Sequence, residues 1–546
     1  MDPAARAPTL PTRAIRVTAW SDRQLAGGLS VVLFVLAAWP LTLVEVPPYQ
    51  DLPNHLATAS VIAHLKAYPE YVFNGFFKTN AALFAWLYLV GKVTGLKLAA
   101  RLFTACILVL NALVLPRFVL HFTGSRSKMV VASLLAWPMI HPWFVSMGML
   151  DFALAVPLSL ALLILVDGHR KRRRPWERAA SAGAIAGLGV VTWYAHVFPL
   201  LLLHLLVGIE CLLRPTWKER IAAARGYLAP LVPVMVLALV SVGLHLHAAA
   251  GPNTGFISFE KMLAPWELVY NLWAEWFWGF TNRSLTSMVP CIVLGVLGVR
   301  GVWQQRSAAH DARPAFFSPV ALLVFLLLYC FVPYKYTNWF HVNSRFLAFM
   351  WVGLLLYVPE RLPRWLVVLL GASALLYSVG MGVDYVRLDR DRIEFTAGLE
   401  AVPEGSRLLP LVFDYKGASV NTRNLQHMWG YYVTERHTSA PLLFAHSKSF
   451  PITYSAPPPL RFSHLLLENF ASETATPAKL CALQSRIDGC DENFRDTWAS
   501  FWTDAVPRFD HVLLWDPTPE AVAMLPPELH RTFERGRLQI YERVQR

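Results

Sequence analysis

Long apolar runs alternate with short polar ones from residue 27 to residue 383, and the alternation then stops. Runs of this length read as transmembrane helices, because a backbone in lipid finds no water and must satisfy its own N–H and C=O groups. The pattern places spans at about 26–45, 100–120, 128–146, 149–167, 179–195, 197–213, 226–248, 286–303, 315–334, 344–359 and 364–383. Residues 54–66 are amphipathic and too short to cross, which predicts a helix lying in the interface. Residues 81–96 admit two readings, a span or a surface or re-entrant segment, and the choice inverts every later loop. The basic loops Arg117–Lys128, Arg170–Arg178, Arg214–Arg225, Arg300–Arg313 and Arg361–Arg364 decide it. All five fall inside only if 81–96 stays at the surface, as the positive-inside rule requires. The expectation is therefore about eleven spans over 26–383, with the N-terminal segment 1–25 cytoplasmic and the C-terminus outside.

Residues 384–546 change character. Arg407–Asp414, Pro441–His446, His511–Asp516 and Arg537–Val544 read as strands, and Thr476–Ile487 and Pro517–Leu525 as helices. This predicts a C-terminal periplasmic α/β domain. It carries no nucleophile elbow, P-loop or GxGxxG. A second outer stretch, 249–285, contains Trp266, Trp273, Trp276, Phe277 and Trp278, which read as an aromatic belt holding another interfacial helix.

Composition adds little to this picture and removes one alternative. The net charge of +13 invites a nucleic-acid reading, but the basic residues sit in short loops between spans, with no basic-aromatic groove pattern. They report topology, and nucleic acid is excluded as a partner. Arg6, Arg13, Arg16 and Arg23 precede the first span without a small-residue cleavage site, the pattern of an uncleaved signal anchor. Cys106, Cys211, Cys291 and Cys330 lie within spans as small hydrophobes, while Cys481 and Cys490 are spaced to bridge in an oxidising compartment.

The candidate chemistry gathers on the outer side. The segment Val46-Pro-Pro-Tyr-Gln-Asp-Leu-Pro-Asn-His55 is the first polar stretch to leave the membrane. Pro53 suits the start of a helix, so Asp51 stands at its positive end, either as a plain cap or as a carboxylate of a site. Asp151 before the fourth span, His55, His196, and the cluster Lys335, Tyr336, His341 and Arg345 face the same side. A carboxylate there serves as general base toward a hydroxyl, and Lys or Arg neutralises phosphate oxygens, Arg in fork geometry. Each residue also has a structural reading: cap for Asp151, interfacial snorkelling for Lys335 and Arg345, and packing for the histidines.

Three stretches carry a family resemblance: Gln50-Asp-Leu-Pro-Asn-His55, Gly95-Leu-Lys-Leu-Ala-Ala-Arg-Leu-Phe103 opening a span, and Val190-Val-Thr-Trp-Tyr-Ala-His-Val-Phe198. With one inward-starting span, an early outer acid and surface helices after it, residues 20–385 resemble the GT-C superfamily of integral-membrane glycosyltransferases. The resemblance implies a polyprenyl-phosphate sugar donor, an envelope glycan, lipid or protein as acceptor, contact with membrane lipid, and a site on the periplasmic face of the cytoplasmic membrane. It puts Asp51 at the place of the family's first-loop base or metal-ligating acid. Many members pair that acid with a second, whereas Asp51 has no acid within two positions. A divalent cation is therefore left open, and no other cofactor is implied. The rival readings are a polysaccharide polymerase or ligase using a lipid-pyrophosphate glycan, which needs no first-loop carboxylate, and a transporter or assembly factor. A transporter would show broken helices in two corresponding halves, and the sequence shows none.

Overall fold

A computed structural model describes residues 20–249, 262–306, 314–335, 340–445 and 494–544, with parts of 448–468. The chain opens with α1 (Asp22–Ala38), started by a capping box in which Ser21 Oγ accepts the Gln24 N–H and Gln24 Oε1 accepts the Ser21 N–H. After the proline-rich turn comes α2 (Leu52–Ala63), then β1 (Tyr71–Phe73) and α3 (Ala82–Thr94). Gly95, with φ +80°, breaks the chain between α3 and α4 (Leu96–Thr123). The bundle continues through α5 (Arg126–Ala136), α6 (Trp143–Met147), α7 (Leu150–Lys171), α8 (Pro175–Ala195) and α9 (Val197–Leu212). It is completed by α10 (Trp217–Tyr227), α11 (Val232–Ala249), α12 (Pro265–Ala274), α13 (Met288–Gln305), α14 (Pro319–Phe331), α15 (Leu347–Leu355) and α16 (Arg364–Phe395).

Seven helical stretches among the described residues are long and apolar enough to cross a membrane: 22–42, 96–123, 126–147, 150–171, 217–244, 282–305 and 364–401. The other four expected spans coincide with α8, which is less apolar, and with α9, α14 and α15, which have 16, 13 and 9 residues. The fold is a polytopic membrane bundle, and the count of eleven is not what helix length and composition support.

The bundle has two distinguishable ends. At one, Arg126 pairs with Asp22, Ser125 bonds Glu360, and Arg214 pairs with Glu210, so the basic loops lie together. At the other stand the Asp51 turn and the starts of α4 and α7. Both ends of α3 are fixed at this second end. The Leu83 N–H is bonded by Asp151, and Lys97, just beyond Gly95, pairs with Glu45 and Glu435. Between them α3, thirteen residues long, lies along the surface of α4, with Trp86 Nε1 donating to Ala99 O.

The aromatic run after residue 264 departs from the expected belt. Trp266 is exposed on α12, but Trp273, Trp276, Phe277 and Trp278 are buried, Trp273 stacking on Trp278 at 4.7 Å. The helix ends at Ala274, so the next three aromatics turn under it into the core instead of continuing along its wet face.

The boundary expected at 383 falls inside α16, a single helix of 32 residues, about 48 Å long. Its far end carries a four-stranded sheet of order β2-β4-β6-β5, made of β2 (Leu408–Val412), β4 (His511–Trp515), β5 (Leu529–Arg535) and β6 (Leu538–Arg543). The β2–β4 pair is parallel and the others antiparallel. Arg537 of the β5–β6 turn ties this sheet to Asp391 and Glu394 of α16. The tail also reaches the first outer loop, because β3 (Ile452–Tyr454) pairs antiparallel with β1.

Pro441–His446 is not a strand: residues 441–445 are turns, and His446 lies outside the described residues. The Asn54 side chain explains this. It donates to Leu442 O and accepts the Phe444 N–H, at 3.0 and 3.2 Å, taking the bonds a neighbouring strand would make. Thr476–Ile487, Cys481 and Cys490 also fall outside the described residues. The expected helix at 517–525 is shorter, Pro519–Ala523, and α17 (Gly430–Arg436), Phe494–Ala505 and β5 are additional elements.

Candidate active site

Asp51 occupies the N-cap position of α2, yet its side chain makes no capping bond there. The backbone explains why. The Gln50 and Asp51 N–H groups donate to Ser146 O and Met147 O at 3.2 and 3.0 Å, which clamps the turn onto the end of α6. Gly148, at φ +86°, makes the approach feasible, since a Cβ there would lie 2.8 Å from Asp51 N. The carboxylate is thus turned off its own helix and toward the tail. Oδ1 lies 3.4 Å from His427 Nε2 and accepts Gln50 Nε2 at 3.3 Å.

His427 is buried, and its other ring nitrogen lies 3.3 Å from Glu468 Oε1. It arrives there because α17 packs on α2, with Gly430 against Pro53 O, where any Cβ would collide at 2.4 Å. The Arg423 N–H donates to Gln50 Oε1 at 2.8 Å, and Asn424 Nδ2 donates to Pro48 O. Burial disfavours a charge on His427, but Glu468 and Asp51 outweigh it and hold its ionisation above the usual histidine value.

His55 stands one turn along α2. Its Nε2 donates to Gly148 O at 3.2 Å, and Nδ1 has no partner among the described residues. Burial pushes this histidine down to about 4, so it is neutral near pH 7. Asp151 is placed differently: its Oδ1 accepts the Leu83 N–H at 2.8 Å and caps the start of α3 from outside. It holds the start of α3, whereas the side chains that meet Asp51 are His427 and Gln50.

A second, basic group lies on the far side of α6 and the start of α7. His196 is the N-cap of α9, its Nδ1 accepting the Phe198 N–H at 3.1 Å. Arg345 Nη1 sits 3.2 Å from the His196 Nε2. The guanidinium can only donate, so its contact with Nε2 and the Phe198 N–H contact with Nδ1 compete for the single acceptor nitrogen of the neutral ring. The Arg345 guanidinium is flanked by the Phe152 and Phe198 rings at 5.5 and 5.6 Å, and the buried Lys335 ammonium lies over Phe340 at 4.5 Å. His341, in a left-handed backbone, donates from Nδ1 to Glu275 at 3.1 Å and accepts Tyr334 OH at 3.2 Å, while Ser344 Oγ also donates to Glu275. Tyr336 lies outside the described residues.

The short helix α6 joins the two groups. Its last residues clamp Asp51, and its first, Trp143, packs edge-on against His341 at 4.7 Å. Five helical residues rise about 6 Å from first to last. Among the described residues no cluster of three or more His, Cys, Asp or Glu is arranged for a metal ion. His427, Glu468, Arg423 and Glu275 were not distinguished by the sequence. The polar run Arg423-Asn-Leu-Gln-His-Met-Trp429 is a local hint for two of them, Arg423 and His427.

These features define a class by fold: a polytopic membrane bundle whose Asp51-bearing end meets a small sheet-containing tail. The crystal structure of ArnT from Cupriavidus metallidurans in the apo state shares this fold at 12% identity, covering 95% of this chain and 97% of that one, with a TM-score of 0.52. The same protein bound to undecaprenyl phosphate gives 0.49 at 12% identity over the same shares. The arabinofuranosyltransferase AftD from Mycobacteria gives 0.48 at 13% identity over 97% of this chain, which spans 40% of AftD's length. No family model and no curated protein matches the sequence.

Proposed function

We propose that the protein is a membrane glycosyltransferase of GT-C type that moves a sugar from a polyprenyl-phosphate donor to an envelope acceptor at the periplasmic face. One observation supports the reading: a carboxylate at a helix start that is withheld from capping and turned toward the tail, where a histidine meets it. Asp51 takes the proton of the acceptor hydroxyl as its oxygen attacks the anomeric carbon. The bond from that carbon to the phosphate oxygen breaks, its electron pair leaving with the polyprenyl phosphate, and the anomeric centre inverts. Arg345, with Lys335, forms the seat that holds the phosphate charge as it develops. The flanking Phe152, Phe198 and Phe340 keep water from this seat and strengthen its electrostatics. Asp151 fixes the start of α3, His55 fixes the Gly148 turn, and His341 locks the Glu275 corner next to Arg345.

The test is release of polyprenyl phosphate by purified protein in lipid nanodiscs, supplied with mixed polyprenyl-phosphate sugars and an envelope extract. Release by wild type that is lost in Asp51→Asn is expected. Equal release by both strips Asp51 of its role, and no release with any donor removes the transferase reading.

A further inference from the structure

The residue that meets Asp51 comes from the far end of the chain and is absent from the mechanism above. His427 touches one carboxylate with each ring nitrogen, Asp51 at 3.4 Å and Glu468 at 3.3 Å. Its ring is walled by Phe444 and Trp429, with centroids at 5.2 and 6.2 Å, so it is held in one orientation. A structural histidine satisfies one nitrogen on a backbone group, as His55 does on Gly148. An imidazole strung between two carboxylates instead forms a path along which a proton moves in either direction.

We propose that His427 is the positioning and relay residue of Asp51, so that the tail completes the base of the transferase. The inference rests on the transferase reading. Asp51 receives the acceptor proton as the new C–O bond forms and the C–O bond to phosphate breaks. That proton then passes from the Asp51 carboxyl to His427 Nε2, while Glu468 Oε1, 3.3 Å from Nδ1, stabilises the charge on the ring. The imidazolium stands between two carboxylates until it returns the proton to solvent, and Asp51 is again an anion. Nothing is oxidised or reduced, and no co-reactant is needed.

The relay makes turnover depend on the state of His427. The groups facing it are Asp51 from the first outer loop, His55 from α2, Glu468 from the tail and Arg423 from its own segment. The two carboxylates favour its charged form and Arg423 opposes it. A histidine that must accept a proton works only when neutral, so turnover rises with pH through an ionisation above the ordinary histidine value.

The experiment compares wild type, His427→Gln, Glu468→Gln and Asp51→Asn in nanodiscs, following polyprenyl phosphate release from pH 5 to 9. His427→Gln is expected to lower turnover about 10²-fold, to leave donor KM within about twofold, and to lose the rising limb. Added imidazole should restore part of the rate to His427→Ala. Glu468→Gln, a milder change that keeps the side-chain shape, is expected to move the limb to lower pH. A merely structural His427 would change melting temperature but leave the limb in place. Wild-type turnover and limb in His427→Gln, with Asp51→Asn inactive, overturns the relay and leaves the transferase standing. An unmoved limb in Glu468→Gln also overturns it, and absence of wild-type turnover removes both.

Discussion

The two ends of the bundle treat some of their carboxylates differently. At the basic-loop end, Asp167 is met by Lys171 at 2.5 Å and His121 at 2.9 Å, Glu210 by Arg214 at 2.5 Å, and Asp22 by Arg126 at 3.0 Å. Each has a permanent cation, within its own helix for Asp167 and at the helix end for Glu210, and between two helix starts for Asp22. At the Asp51 end, Asp51 is met by an imidazole, Asp151 by a backbone N–H, and Glu275 by an imidazole and a hydroxyl. Cation pairs occur at this end as well: Glu45 is met by Lys97 and Arg392, Glu435 by Lys97, and Asp391 and Glu394 by Arg537. An acid locked to Lys or Arg cannot readily take a proton, whereas one met by a titratable or neutral partner can. On the proposed function, that difference is what marks Asp51 out from the cation-paired acids.

The sharpest way to break the comparison is to remove one acid from each end. Asp51→Asn should cut turnover about 10³-fold, while Asp167→Asn should leave polyprenyl phosphate release within about twofold. Comparable losses would mean that the partners of these acids do not distinguish their roles. Next in size is the basic seat. Arg345→Gln removes a charge-assisted fork and should weaken binding of a polyprenyl-phosphate donor about 10–100-fold, read by titrating labelled donor into nanodiscs. Asp151→Ala should cost about 1 kcal/mol of stability through the lost cap on α3, with Asp151→Asn retaining most of it because the amide oxygen still accepts. Thermal melting checks this, and loss of turnover in a stable Asp151→Asn would promote Asp151 to the chemistry. The smallest effect concerns His55. Its ionisation is pushed down in the folded state, so its contribution is complete above pH 6.5 and is lost as pH falls toward about 4. Melting temperature should fall over that window in wild type and less in His55→Gln.

Much of this architecture was legible in the chain. The apolar runs announced the bundle, and the proline-framed turn singled out Asp51 because Pro53 begins a helix and forces an acid to its edge. The surface course of α3 followed from loop charge alone, and its two ends do meet the same end of the bundle. What was not legible depends on contacts distant in sequence. Nothing near His427 indicates that it faces an acid in the first outer loop. Whether Asp51 caps its own helix was undecidable until the clamp by Ser146 and Met147 was visible. The count of eleven from hydropathy is not confirmed by helix length, because α9, α14 and α15 are apolar but short. The Trp273–Trp278 run misled for a related reason, since an aromatic cluster looks the same whether it faces lipid or plugs a core.

The pairing of the first outer loop with the tail also sets a clock on biogenesis. Gln50 waits for Arg423, 373 residues downstream, before its bond can form. At about 5–20 residues per second, synthesis spends about 20–75 s between the two. Throughout that interval the turn at Asp51 is already outside the ribosome, while the segment that aims its carboxylate does not yet exist. A nascent or truncated chain can therefore enter the membrane without a finished site, and completion of the C-terminal region arms it.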